Sequence, residues 1–211
     1  MIHAIMVDVD GVLINGRPAD GRPWESEIEA DLGISNADLN REFFGPYWSD
    51  IIVGHSGLAE QLKLALARLT PSVPHEDLIA YWFASDARLN RPLLEALAQL
   101  RERGTKVFLA TNQEHLRSAY LMDQLGLGPH VDGIYYSAAL GSRKPERDFF
   151  EQTAALSGFA PEQLLLIDDT PANVVAARQL GWNAVLWTAG SSLSAELAKL
   201  QAEGVNLAPP S

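Results

Sequence analysis

The stretch "IMVDVDGVLING", residues 5–16, decides the fold: an apolar run ends in two aspartates one residue apart and then reaches a glycine. A short apolar run of this kind predicts a buried strand. Two carboxylates so close together repel each other unless a positive charge lies beside them. A cation is the obvious compensating group, and its other ligands must come from elsewhere in the chain.

Composition excludes several classes of protein. The chain has 211 residues, enough for one large domain or a core with a modest insert. It has no cysteine, which excludes disulfides and thiolate sites, and its net charge of −11 argues against a nucleic-acid surface. No apolar run approaches the roughly 18–20 residues of a membrane span, and no signal peptide is evident. We therefore expect a cytoplasmic protein that binds neither nucleic acid nor membrane; its oligomeric state is not indicated.

Short apolar runs alternate with amphipathic stretches over much of the chain. We predict strands at His3–Val9, Lys106–Ala110, Gly133–Tyr136, Leu164–Ile167 and Ala184–Trp187. Helical patterns lie between them, at Pro92–Arg103, Glu114–Leu125, Glu146–Leu156 and Ala172–Leu180. This alternation predicts an α/β fold, a Rossmann-like parallel sheet with helices on both faces.

Only helical patterns occur between Gly16 and about Arg88. They lie at Glu25–Leu32, Asn36–Phe44, Leu58–Leu69 and His75–Phe83. The segment is too long for an ordinary connection, so we predict a small all-helical insert, residues 16–88, within a core of residues 1–15 and 89–211. Its aromatic run forms either an apolar roof over a substrate or, as we favour, the insert's own core: Phe43, Phe44, Tyr47 and Trp48. The tail, Gly204–Ser211, is expected to be a frayed end.

Polar residues follow four of the predicted strands: Asp8, Asp10, Thr111, Asn112, Lys144, Asp168 and Asp169. Ligands of open parallel sheets bind beyond the carboxyl ends of the strands, where these residues would meet. Taken singly, each is explained by a turn, a helix cap or a solvated lysine. Their order, each at the end of its own strand, favours a site. A set of oxygen ligands without sulfur suits a hard cation, Mg²⁺ above all.

In this order the residues resemble the haloacid dehalogenase (HAD) superfamily, most members of which are Mg²⁺-dependent phosphatases. "DVDGV" resembles the first motif, Thr111 the end of the second, Lys144 the third, and the pair Asp168–Asp169 the fourth. The resemblance covers nearly the whole chain. The helical insert looks like the C1 cap of the family.

The resemblance implies catalytic roles by position. Asp8 would be the nucleophile that forms an aspartyl-phosphate, which divides one displacement into two easier steps. Asp10 would protonate the leaving alkoxide and then deprotonate the hydrolytic water. Asp8, Thr111, Asn112 and Lys144 would surround the phosphoryl group, and Lys144 would also neutralise charge on Asp8.

The resemblance also implies a set of metal ligands. Asp8 and Asp169 would bind Mg²⁺ directly, Asp168 would act through bound water, and Asp10 would contribute its backbone carbonyl. Asn173 lies where some members carry a further acid, and its role is left open. Together Mg²⁺ and the lysine would offset the repulsion between nucleophile and phosphate.

The function expected from these residues is hydrolysis of a small phosphomonoester, such as a sugar phosphate. One alternative is a sugar-phosphate mutase, whose cap needs cationic phosphate contacts. The insert has few cations among many acids, which favours hydrolysis: Arg17, Arg22, Arg41, Lys63 and Arg68. A non-catalytic binding module is the other alternative, but no motif residue is missing. The expected partner is a small phosphorylated metabolite.

Overall fold

The structure is a computed structural model that describes residues 1–70 and 72–209. These residues contain one five-stranded, all-parallel sheet of order β3-β2-β1-β4-β5. Its strands are β1 (Ala4–Val7), β2 (Lys106–Thr111), β3 (Gly133–Tyr136), β4 (Leu164–Asp168) and β5 (Asn183–Leu186). The predicted α/β fold is therefore confirmed, and each predicted strand is present within two residues of its expected bounds.

Strand β1 lies at the centre of the sheet because its residues are apolar and buried on both faces. The chain adds β2 and β3 on one side of β1 and then β4 and β5 on the other. A reversal of this kind opens a crevice at the carboxyl ends of the strands. Val7 is in register with Ile167 of β4, so the next residues, Asp8 and Asp168, lie side by side in that crevice.

Helices cover both faces of the sheet. The first face packs against α6 (Arg91–Glu102) and α11 (Leu193–Ala202), and the second against α9 (Arg147–Ser157) and α10 (Pro171–Gln179). The short helices α7 (His115–Ala119) and α8 (Ser137–Leu140) follow β2 and β3. None of the described helices is both long and apolar enough to cross a bilayer.

Residues 16–70 and 72–88 form helices and no strand. The helices are α1 (Ile28–Leu32), α2 (Asn36–Leu39), α3 (Gly45–Ile51), α4 (Leu58–Leu69) and α5 (His75–Ser85). They surround an apolar cluster separate from the two beside the sheet. Hydrogen bonds from Asn15 N to Arg88 O (2.9 Å) and from Arg88 N to Gly16 O (3.0 Å) join the outgoing and returning chains.

The aromatic run of the insert belongs to this cluster, as the favoured interpretation predicts. Phe43 is buried at its centre, and Phe44, Tyr47 and Trp48 pack partly buried against it. The rings of Phe44 and Trp48 meet edge to face, with centroids 5.4 Å apart. These side chains therefore hold the helices of the insert together.

Among the residues that the structure describes, three α-helices were not predicted: α3, α8 and α11. Helix α3 begins at Gly45–Pro46, a pair that ordinarily ends a helix. Here a π-helical turn, Asn40–Phe44, precedes it, and Gly45 N bonds to Asn40 O, so the helix continues past the proline.

The expected frayed tail is wrong for its described part, up to Pro209. Ile2 N donates to Asn206 O at 2.7 Å, and Ala208 N donates to Ile2 O at 2.8 Å. The tail therefore runs beside the N-terminal residues of the chain. The last two residues, Pro210 and Ser211, lie outside the described part.

Candidate active site

Lys144 is the central group at the carboxyl edge of the sheet. Its Nζ lies 2.9 Å from Asp8 Oδ1 and 2.6 Å from Asp168 Oδ2, and it donates to Ala110 O at 2.7 Å. The residue is only 3% exposed. Each of the three ammonium protons thus has an acceptor, which a buried cation requires. The lysine is fixed between two carboxylates that come from neighbouring strands.

Asn112 holds the backbone that carries this lysine. Its Nδ2 donates to Lys144 O at 3.0 Å, and its Oδ1 accepts from Lys144 N at 2.8 Å. The side-chain amide is thereby committed at both ends to positioning Lys144, and a contact of Asn112 with phosphate remains a prediction. Thr111, buried at the end of β2, follows Ala110 directly and so lies at the same edge as Lys144 Nζ.

Asp168 is held from three sides. Besides Lys144, its carboxylate accepts from Thr170 N at 2.8 Å and from Asn173 Nδ2 at 3.0 and 3.1 Å. Asn173 lies in the first turn of α10, with its side chain buried. Its role, which the sequence left open, is to orient Asp168.

Three carboxylates lie close enough together to hold one cation. Asp8, Asp168 and Asp169 each offer an oxygen, and these atoms all lie within 4.8 Å of one another. Lys144 supplies one positive charge against three negative ones, so the cluster fits a further divalent cation. Oxygen donors alone suit Mg²⁺, the expected cofactor.

Gly11 permits this approach. It has a φ of +78°, and a Cβ at its position would lie 2.0 Å from Asp169 Oδ2. Any side chain at residue 11 would therefore displace Asp169 from the cluster.

Burial raises the pKa of Asp8 to about 7, with Lys144 opposing the shift and the Asp168 and Asp10 charges adding to it. Burial alone would lower the pKa of Lys144, but the two adjacent carboxylates raise it above its ordinary value. The lysine is therefore cationic, and a bound cation would favour the anionic form of Asp8.

The side chain of Asp10 lies apart from the three-carboxylate cluster. Its Oδ2 accepts from Gln113 Nε2 at 2.7 Å, and its Oδ1 lies 4.0 Å from a guanidinium nitrogen of Arg117. About half of the side chain, 53%, is open to solvent. Desolvation nevertheless raises its pKa, against the opposing effects of Arg117 and Gln113. A carboxyl that is accessible and has a raised pKa suits proton transfer.

Sequence reasoning missed the two partners of Asp10. Gln113 directly follows the Thr111–Asn112 pair. Arg117 lies within the stretch predicted as an amphipathic helix, residues 114–125. The available signal was the position of Gln113 beside the strand-end pair. Arg117 gave none, because only the tertiary structure buries it.

Comparisons with known proteins find the family of the chain and several similar enzymes. The sequence model described as a haloacid dehalogenase-like hydrolase matches residues 2–181. A phosphoglycolate phosphatase from Nitrosococcus oceani is 27% identical, over 95% of this chain and 90% of the relative. A GMP/IMP nucleotidase from Escherichia coli is 24% identical, over 85% and 80%.

Solved structures show the same fold. A HAD family enzyme from Bacteroides thetaiotaomicron, in complex with magnesium and inorganic phosphate, has a TM-score of 0.79 and 21% identity. The similarity covers 93% of this chain and 99% of that one. Since the family match spans most of the chain, the protein is an enzyme that belongs to the haloacid dehalogenase-like hydrolases.

Proposed function

We propose that the protein is a Mg²⁺-dependent phosphatase that hydrolyses a small phosphomonoester through an aspartyl-phosphate on Asp8. The observation that carries the proposal is Lys144, locked between Asp8 and Asp168 beside a three-carboxylate cluster. The names of the phosphatase relatives support it. Such a site provides a nucleophile, a cation for the transferred group and a place for a metal.

The first step forms a bond between an Asp8 oxygen and phosphorus and breaks the bond to the ester oxygen. Asp8 Oδ1 accepts from Val9 N at 2.8 Å and from Lys144 Nζ, which fixes the orientation of the carboxylate. Asp10 gives its proton to the leaving alkoxide. Lys144 supplies positive charge beside the phosphoryl group, and Thr111 donates its hydroxyl to a phosphoryl oxygen.

The second step hydrolyses the acyl phosphate. Asp10, now ionised, takes a proton from water as the water oxygen attacks phosphorus, which releases phosphate and restores Asp8. Asp8 and Asp169, with the backbone carbonyl of Asp10 and with Asp168 through water, would hold Mg²⁺, which would supply positive charge that offsets repulsion among the anionic groups.

The ion pairs of the insert favour hydrolysis over the mutase alternative. Four of its cations already bind acids of the insert itself: Arg17 and Arg22 contact Glu27, and Arg41 and Arg68 contact Glu42. Their charges are therefore balanced by acids within the insert itself. A mutase needs free cations in its cap to rebind a bisphosphate.

We further propose that residues 16–88 act as a C1-type cap and select the substrate. The core residues at the strand ends contact only the phosphoryl group, so discrimination among leaving groups must come from what covers them. Relatives are named for different small phosphate esters, which supports a small phosphorylated metabolite as the substrate class.

The test is a screen of phosphorylated metabolites with purified protein. We expect phosphate release with Mg²⁺, loss of activity in chelator, and recovery when Mg²⁺ is restored. Ca²⁺ should support little turnover, because a larger and more flexibly coordinated ion misplaces the nucleophile. Turnover that persists in excess chelator would disprove the metal assignment, and turnover by Asp8→Asn would disprove the nucleophile.

A further inference from the structure

Arg117, on core helix α7, is bound to the end of an insert helix. The residue is 2% exposed, and its guanidinium donates to Phe83 O at 3.1 Å and to Asp86 O. Phe83 lies in the last turn of α5, and Asp86 is the residue that caps its C-terminus. A guanidinium in this position satisfies carbonyls that the helix leaves unpaired and opposes the negative end of its dipole.

The same guanidinium stands between two carboxylates. One of its nitrogens lies 3.3 Å from Asp86 Oδ2, on the insert, and 4.0 Å from Asp10 Oδ1, on the core. The rings of Phe83 and Tyr120 lie 5.2 and 5.5 Å from its central carbon. These rings limit the orientations that the guanidinium plane can take.

The acids around Arg117 influence one another. Burial raises the pKa of Asp86 to about 6, with the charge of Asp10 adding to the shift and Arg117 opposing it. The two acids therefore compete for one buried cation. Asp86 is the nearer partner, and Gln113 is the residue that binds Asp10 directly.

We infer that Arg117 is a positioning residue that couples the docked end of insert helix α5 to the Asp10 carboxyl. The inference rests on the proposed role of Asp10 as general acid. The Asp86 carboxylate and the carbonyls of Phe83 and Asp86 hold the guanidinium 4.0 Å from Asp10, which leaves that carboxyl accessible and hydrogen-bonded to Gln113. Without these insert contacts the buried cation must find another acceptor, and Asp10 is the carboxylate nearest to it.

Capture by Arg117 would turn the Asp10 carboxyl away from the leaving group. Asp86→Asn tests this step, because it removes the competing charge with little change in shape. Arg117→Lys is the second variant: it keeps the charge but cannot bind both carbonyls of α5 and face Asp10 at once. The control is Arg101→Lys. Arg101 also forms an ion pair, with Asp132, but Asp132 accepts from the N–H of Val107, near the end of β2 that is opposite to the site.

The experiment measures kcat and KM for p-nitrophenyl phosphate and for glycerol 3-phosphate as a simple alkyl ester. Alkoxides need a proton to leave, whereas nitrophenolate hardly does. We expect Asp86→Asn and Arg117→Lys to lower kcat on the alkyl ester by about 10–100-fold and on the aryl ester by less than about 3-fold. KM should change little, and Arg101→Lys should match the wild type on both.

Equal losses on the two esters would overturn the inference, because Arg117 would then only hold the insert in place. Thermal melts check that each variant is folded. If Arg117→Lys does not fold, Asp86→Asn decides alone, with Asp86→Glu expected to recover most of the lost activity. A wild type without metal-dependent turnover of any phosphomonoester would overturn the proposed function, and this inference with it. A wild type that is active while both variants keep wild-type ratios would overturn only the inference.

Discussion

The carboxyl edge of the sheet and the helical insert are built by different kinds of contact. At the edge, short charge-assisted bonds of 2.6–2.9 Å tie Lys144 to Asp8 and Asp168. In the insert, aromatic and aliphatic side chains pack around a separate cluster, and the charges lie in exposed ion pairs. Buried ionic contacts tolerate little displacement, whereas apolar packing tolerates substitution of similar volume. The proposed chemistry therefore depends on contacts at the edge that tolerate little change, whereas the packing of the insert can tolerate more.

The largest effect expected is from Asp8→Asn at the edge. An amide is a poor nucleophile, so turnover should fall by about 10⁴-fold or more. The carboxamide keeps the shape of the side chain, and the circular dichroism spectrum should match the wild type. Retained turnover would show that the edge does not supply the nucleophile.

The next effect is from Asp10→Asn, at the boundary between edge and insert. Loss of a general acid should slow turnover by about 10²–10⁴-fold. The loss should be greater for alkyl phosphates than for p-nitrophenyl phosphate, measured as kcat for each. If both esters slow equally, Asp10 is not the acid.

Removal of the insert should change selectivity more than chemistry. Residues 18–87 are replaced by a short linker, together with Tyr120→Ser and Arg117→Gln, because Tyr120 packs against the insert cluster and Arg117 binds α5. We expect the trimmed protein to bind Mg²⁺ and act on p-nitrophenyl phosphate while losing preference among metabolites.

The matched control for the trimmed protein is the full chain with the same two substitutions. A folded trimmed protein that keeps the substrate ranking of this control would show that the insert is not the selector.

The smallest effect concerns the stability of the metal-free protein. Burial raises the pKa of Asp8 from 3.8 to about 7 in the folded state, so the folded chain binds this proton more tightly than the unfolded chain. The resulting stability is present below about pH 4 and is lost as the pH rises to about 7. The Tm of metal-free Asp8→Asn should therefore exceed that of the wild type at pH 8, by about 2–4 °C for each kcal/mol gained in the free energy of unfolding. This difference in Tm should shrink toward pH 4.

The check is a series of thermal melts in chelator from pH 4 to pH 8. Addition of Mg²⁺ at pH 8 should raise the Tm of the wild type more than that of Asp8→Asn. A Tm difference that does not vary with pH would mean that Asp8 is not desolvated in the folded protein, and that the edge is less buried than its ion pairs indicate.

The sequence by itself determined the sheet and the residues at its carboxyl edge. Each strand is a short apolar run, and Asp8, Thr111 and Asp168 each stand at the end of a strand or directly after it, so local pattern was enough to place these three. The existence of the insert also followed from local pattern, as a helical segment too long for a connection.

Only the tertiary structure decided what joins the two regions. Arg117 and Asp86 are 31 positions apart. In the sequence, Arg117 has the pattern of an ordinary polar residue of an amphipathic helix, and Asp86 lies beyond the helix predicted at His75–Phe83. The docking of the tail beside Ile2 and the passage of a helix through Pro46 are likewise absent from the local pattern. Strand ends can be predicted because backbone register alone brings them together. The contacts of Arg117 depend instead on how α5 packs against α7, and that packing involves side chains that are far apart in the sequence.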